Sequence, residues 1–452
     1  MEEFLFLFIY IFLPVFWLIL LNKSGVKLLT ISIPSILIIS IFIYQYLGYP
    51  VLFFFINDYS AKFVQDREII WKIFLLSSFT ITFIIIGMVV AGKNFGNLHL
   101  KNQFNPNTNL ILLDKQLSRY LFYLLLIISI FILYIYLSKV GWNNIALFSL
   151  LNLSDQSSSI KELRSNMGNA FEGKYHWYRL FMRDFLSIIS IALFGQYLIR
   201  KKSIYFLIFV LSFLVSLVSM LSATEKGPVL WYLISLILMY VIINNDSRLK
   251  LKYLIGLGIF APLLLGLIYV NFMNAPSLIK GIEYAFSRLT TGQIQGLYHY
   301  FTIFPDQVDF LFGRSFPNPG GLMPFEPYSL SKSVHNIIFP HKSLQGVVGS
   351  MPTFYWGEMY ANFGYLGVIF PPFFIGYLLY SLNILIFKLP MTPIMLSIYV
   401  YLISHYDGLA TASLSKFLID IKIVLVLFIY VFVVSIPNKG IIKYFNSQKQ
   451  KA

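Results

Sequence analysis

Two long polar stretches separate apolar runs in this chain, and they hold most of the residues suited to chemistry. The first, about 139–177, carries Lys139, Lys161, Arg164 and Lys174, with Arg179 just beyond it. The second, about 271–364, carries Lys280, Arg288, Arg314, Lys332 and Lys342. A short turn, Ala223-Thr224-Glu225-Lys226-Gly227, adds Lys226. A guanidinium fork pairs with two phosphate oxygens at once, whereas an ammonium acts as a point charge. Together these cations suit a phosphate or pyrophosphate headgroup. The plainer alternative for each is a solvated loop charge or contact with lipid phosphate.

Within the second stretch, Ile282, Phe286 and Leu289, then Ile294, Leu297 and Phe301, recur at helical spacing. The pattern predicts an amphipathic helix over Gly281–Pro305, lying at a membrane interface. If that helix is continuous, Arg288, Thr291, Gln295 and His299 share one face. Gly292 and Gly296 beside them leave room for a ligand to approach the backbone. Arg314 opens a turn-rich stretch, Ser315 to Gly321, that is not a phosphate-cradling Gly motif. His335 and His341 straddle Pro340 without a third ligand, so no metal site is expected. A single such His can still serve as a general base.

The stretch Gly349–Gly364 reads Gly-Ser-Met-Pro-Thr-Phe-Tyr-Trp-Gly-Glu-Met-Tyr-Ala-Asn-Phe-Gly and runs straight into an apolar span. On a helix Glu358 and Asn362 share a face, with Trp356, Tyr360 and Phe363 as the neighbouring stripe. Aromatic faces suit sugar rings as well as the interface. A carboxylate this close to the bilayer is costly unless it is paired or functional. Pairing with a nearby Arg is the plain expectation for Glu358. His405-Tyr406-Asp407 forms a second polar cluster at a membrane edge, with a structural role as its plain reading.

The elements that must position these residues are membrane helices. Of the 452 residues, 58% are hydrophobic and 12% charged, against about a quarter charged in soluble domains. Runs such as Leu121–Leu137, Ile204–Leu221 and Leu230–Ile243 are apolar nearly all round, which leaves no face for water. A polytopic all-α fold of about eleven spans is expected. They cover roughly 4–21, 28–47, 71–91, 119–138, 178–199, 204–221, 228–244, 253–271, 364–387, 393–412 and 417–436. Many of the 31 Tyr and 6 Trp sit at run ends, as interfacial rings do. The chain reads as one multi-spanning domain, 1–452, with no repeat and no soluble module. Its first span lacks a basic leader and a cleavage site, so it reads as a retained helix.

The net charge is +15. The tail lysines Lys439, Lys443, Lys449 and Lys451 suit membrane anchoring. No basic segment is interleaved with aromatics as nucleic-acid binding requires. With no cysteine, a thiol nucleophile, a disulfide framework and a Cys-based metal site are excluded. The basic short turns, Lys23 with Lys27, Arg200–Lys202, and Arg248 with Lys250 and Lys252, belong inside. That places the N-terminus and both long loops outside.

At Gly349–Gly364, at the Thr224-Glu225-Lys226-Gly227-Pro228 turn and in its plan of many spans with two long outer loops, the chain resembles the Wzy-type polymerases of oligosaccharide repeat units. The resemblance implies an enzyme of the bacterial inner membrane with its active site facing the periplasm. It would move a glycan from undecaprenyl diphosphate onto the sugar hydroxyl of another lipid-linked unit, building O-antigen or capsular polysaccharide. No metal or other cofactor is implied. A flippase and a chain-length regulator of the same pathway are implied partners. The resemblance assigns Arg164 and Arg288 to the diphosphate, assisted by Arg314 and Lys226, with His335 or Glu358 as the base. His299, Tyr355, Trp356 and Asn362 are the expected sugar contacts. Some members carry an Arg-then-Gly spacing in both loops; here Tyr175 and His299 stand at those offsets. An O-antigen ligase shares the plan, and a lipid-linked oligosaccharide flippase or transporter is the rival from another class.

Overall fold

The computed structural model describes residues 1–56, 63–96, 116–151, 163, 167, 171, 175–223, 226–273, 275–318, 321–341, 349–389, 392–418, 423–424 and 426. Among these residues every regular element is helical. In chain order they are α1 (Glu2–Ser24), α2 (Ile33–Gln45), α3 (Tyr49–Phe53), α4 (Arg67–Phe95), α5 (Gln116–Val140), α6 (Ala146–Leu151) and α7 (Tyr175–Arg179). A π turn, Leu180–Phe185, leads to α8 (Leu186–Arg200), followed by α9 (Ser203–Leu221), α10 (Lys226–Asn244) and α11 (Leu251–Met273). Then come α12 (Leu278–Thr290), α13 (Gly292–Ile303), α14 (Leu330–Ile338), α15 (Tyr355–Ile369), α16 (Pro371–Phe387), α17 (Pro393–Asp407) and α18 (Leu414–Leu418).

Seven helices among the described residues are long and apolar enough to cross a membrane. This is the architecture of a polytopic membrane protein, as the apolar runs predict. The run expected as one span over 364–387 is instead a bent pair. Its helices, α15 and α16, meet at 80°, and the first begins at Tyr355. Sequence explains the break: Gly364 takes φ 59°, ψ −141° inside α15, and Pro371 cannot donate to a continuing helix. The expected last span, 417–436, lies almost wholly outside the described residues.

The chain divides into two compact units, each assembled from separate stretches. One holds 1–100, 248–386 and 405–420; the other holds 101–247, 387–404 and 421–452. In the second unit small hydroxyls tie helices together. Ser219 Oγ donates to the Met182 carbonyl of the π turn at 2.6 Å, and Ser212 Oγ donates to Ser190 Oγ at 3.0 Å.

The first unit has two chemically different ends. At one end Tyr380 Oη donates to the Ser24 carbonyl at 2.8 Å. The Ile33 amide donates there to Asn383 Oδ1 at 3.1 Å, and Thr30 pairs with Arg248 in an isolated bridge. Lys23, Lys27, Arg248 and Lys250 therefore gather at the same end, exposed. At the other end Arg67 meets Glu3 at 3.4 Å, and the Asp66 amide donates to Tyr298 Oη at 3.2 Å. The polar stretch through α13 thus sits at the end opposite those basic turns.

Close helix packing relies on paired glycines. A Cβ at Gly376 would overlap the Ile84 carbonyl, and one at Gly87 would overlap the Phe373 carbonyl. Without a solvent-driven hydrophobic effect between spans, such backbone approach is a main source of association. Gly376→Ala should lower the thermal midpoint in detergent, an overpacking cost of about 1–3 kcal/mol. Gly256→Ala, whose Cβ meets nothing within 4 Å, should not lower it. Equal behaviour of the two variants would contradict this packing.

Candidate functional site

The buried polar centre of the first unit is Glu358, 3% exposed in the first turn of α15. Its Oε1 accepts from Ser415 Oγ at 2.8 Å and from Ser315 Oγ at 3.1 Å. Its Oε2 accepts the Ser415 amide at 3.0 Å. The expected Arg partner is absent among the described residues: hydroxyls and one amide satisfy the carboxylate instead. Three donors replace the hydration that the carboxyl group loses on burial.

Asn362, one turn on and fully buried, completes the cluster. Its Oδ1 accepts the Gly313 amide at 2.8 Å. Its Nδ2 donates to Ser315 Oγ and to the Glu358 carbonyl, both at 2.8 Å. Two backbone bonds run alongside, from the Leu311 amide to the Ala361 carbonyl at 3.0 Å and from the Phe312 amide to the Asn362 carbonyl at 3.1 Å. Residues 311–315 are thereby fastened to the start of α15. The helical spacing of Glu358 and Asn362 is legible in the sequence. Ser315 and Ser415 are not, because they stand 43 and 57 residues away from Glu358 in stretches without periodicity.

Arg314 rides on this mount. Gly313 and Ser315 on either side are both bonded to Asn362, while Arg314 itself is exposed. Its guanidinium carbon lies 5.8 Å from the centre of the Tyr328 ring, and its carbonyl accepts the Tyr328 amide at 2.7 Å. A cation over an aromatic face keeps its donor edges free for an anion.

The other expected residues fall into different environments. The amphipathic helix over Gly281–Pro305 is interrupted: α12 ends and α13 begins at Thr291. Arg288 is exposed on α12, whereas Thr291 and His299 are buried, so the four-residue polar face does not form. Thr291 Oγ1 and the Thr291 amide both bond to the Ser287 carbonyl, at 2.7 and 2.8 Å. The room expected at Gly296 is filled by the Pro352 carbonyl. Tyr355 and Trp356 are fully buried. Trp356 meets Phe301 and Phe354, each at 6.2 Å between ring centres, and Tyr360 stacks on Phe301 at 3.8 Å. These rings pack against protein and offer no face to a sugar, because the segment closes over α13 through a Thr353-to-Gln293 carbonyl bond of 3.0 Å.

Both histidines are buried. His335, in α14, packs on Phe339 at 5.2 Å and against Gly349. Its Nδ1 is buried with no hydrogen-bond partner among the described residues. Burial pulls the His299 pKa down to about 4, so His299 is neutral at pH 7 and does not add to the cations. Arg164 lies outside the described residues, as does the side chain of Lys226. No group of three or more His, Asp or Glu able to hold a metal occurs among the described residues.

Comparison with known protein families, with curated proteins and with solved structures finds no match to this chain.

Two predictions follow from this geometry. If the Asn362 side chain fastens the 311–315 turn, Asn362→Ala should make the exposed Arg314–Ser315 bond several-fold more sensitive to trypsin. Stability should fall by about 1–3 kcal/mol as buried donors lose their acceptor. Unchanged cleavage would remove Asn362 as the clamp. Separately, His299 folds as the neutral ring, with its pKa held below its unfolded value. Its contribution is complete above about pH 6.5 and is lost as pH falls toward 4, by about 3 kcal/mol at most. A thermal midpoint that drops over that window in the native chain, and drops less in His299→Phe, is the expected result.

Proposed function

We propose that this chain is an integral-membrane glycosyltransferase of the repeat-unit polymerase type. It would act at the outer face of a bacterial inner membrane on polyprenyl-diphosphate-linked oligosaccharides. The observation that carries this reading is the exposed Arg314 on a turn immobilised by Glu358, Asn362, Ser315 and Ser415. Placement of that turn at the end opposite the basic short loops supports it, since Lys- and Arg-rich short loops face the cytoplasm. The finer topology, about eleven spans with an outer N-terminus and outer loops at 139–177 and 271–364, belongs to the same proposal.

In the reaction, the acceptor sugar hydroxyl attacks the anomeric carbon of the donor. The bond from that carbon to the diphosphate oxygen breaks, and the lipid diphosphate leaves. A diphosphate leaving group needs fixed positive charge more than it needs an acid. Arg314 supplies that charge from a preorganised position, with Arg288 and, from the resemblance, Arg164 and Lys226 as further cations. The hydroxyl proton needs an acceptor within hydrogen-bond reach. From the resemblance, His335 is the candidate for that task. Glu358, holding three donors, suits positioning. No metal enters this scheme. A flippase delivers the lipid-linked substrate and a chain-length regulator acts on the product.

The test is the gel profile of surface polysaccharide from a strain lacking this protein, with and without a plasmid copy. A ladder collapsing to a single repeat unit and restored by the plasmid is the expected result. In the same assay Arg314→Ala should slow polymerisation by at least about tenfold at normal protein level, the scale of losing one fixed electrostatic donor. An unchanged ladder in the deletion strain would sink the polymerase reading. Long chains stranded on the lipid carrier would indicate a ligase.

A further inference from the structure

The mounted turn also has an apolar side that the proposed chemistry leaves unexplained. Phe312 is 74% exposed, and it takes φ 47°. A bulky residue rarely adopts that left-handed backbone, and such strain persists only where surroundings enforce it. The enforcing bonds are those from the amides of Phe312 and Gly313 to Asn362. They hold the Phe312 backbone against Asn362, the residue before Phe363, whose ring meets Phe316 at 6.1 Å. Beyond the Gly364 bend, Leu366 and Phe370, one turn apart on α15 and at its end, are exposed on a helix of the membrane-crossing bent pair. Exposed apolar side chains thus occur on both sides of the Gly364 bend, Leu366 and Phe370 on one and Phe363 on the other, with Phe312 exposed on the turn bonded to Asn362 and Arg314 two residues further on.

We propose that these side chains form the docking surface for the lipid part of the substrate: the isoprenoid chain lies along Leu366, Phe363 and Phe312 while its diphosphate meets Arg314. The inference rests on the glycosyltransferase reading and adds where the lipid carrier binds. Charge complementarity favours a phosphate-bearing occupant, because Arg matches phosphate oxygens in two parallel bonds. Fixed geometry favours a specific one. Bulk phospholipid needs only loosely placed basic residues near the surface, whereas here a buried carboxylate and a buried amide hold one Arg and one outward Phe in register. Phe312 and Arg314 on a single rigid turn give a spacing between chain and headgroup that a mobile loop would lack.

The test uses the purified full-length protein in nanodiscs with two photoreactive probes, a benzophenone-bearing polyprenyl diphosphate and a benzophenone-bearing phosphatidylglycerol. The labelled peptides are identified by mass spectrometry. The diphosphate probe should label the peptides containing Phe312 or Leu366, and unlabelled undecaprenyl diphosphate should displace it. Arg314→Ala should lower that labelling by about tenfold, the loss of one charge-assisted bidentate contact. Arg314→Lys should lower it less, and Phe312→Ala, at an exposed position that leaves the fold intact, should also lower it. Labelling elsewhere, indifference to these variants, or equal labelling of the same peptides by phosphatidylglycerol would overturn the proposal. A collapsed polysaccharide ladder in the deletion strain with labelling elsewhere would leave the polymerase reading intact and sink only this surface. Labelling here with an unchanged ladder would do the reverse.

Discussion

A carboxylate buried at the edge of a membrane helix is the constraint around which the first unit is organised. Removing a polar carboxyl group from water costs free energy unless hydrogen bonds replace its hydration. Glu358 meets that cost with Ser315 and both donors of Ser415. Those donors come from segments far apart in sequence, so satisfying one side chain brings together α15, the irregular turn at 311–315 and the start of α18. Asn362 then spends its amide on the same turn. An irregular loop full of Gly and Pro thereby gains a defined position without any strand or long helix of its own.

Under the proposed function, that position gives the loop its chemical use. A cation on a mobile loop must be ordered each time it meets a ligand, at a cost in side-chain and backbone entropy. Arg314 is ordered beforehand by the bonds of its two neighbours, and its guanidinium is left exposed over Tyr328. Preorganised charge of this kind is what a reaction with a diphosphate leaving group requires. The opposite end of the unit, with Lys23, Lys27, Arg248 and Lys250, separates the basic residues suited to topology from the cation suited to chemistry.

Much of this was legible in the sequence, and the remainder was hidden for physical reasons. Helix spans follow from apolar runs, and the ends of α4, α9, α10 and the continuous helix Tyr175–Arg200 fall within a few residues of their expected places. The pairing of Glu358 with Asn362 follows from helical periodicity alone. What failed was context at longer range. Trp356 and Tyr355 look like sugar platforms by composition but are buried, because the extended segment 351–354 folds back over α13. The break at Thr291, followed by the weak helix former Gly292, is not registered by a hydrophobic pattern. The 80° bend between α15 and α16 is signalled by Gly364 and Pro371, yet its place inside one apolar run conceals it. Serines as partners of Glu358 carry no motif at all.

The central claim is that Asn362 acts through Arg314, and a double-mutant cycle tests it most directly. Polymer chain formation would be measured for Asn362→Ala, Arg314→Ala and the double variant at matched protein levels. If Asn362 only positions Arg314, its loss costs nothing further once Arg314 is gone, and the double variant should be no slower than Arg314→Ala. Losses that multiply independently would contradict the account, since Asn362 and Arg314 would then serve separate purposes.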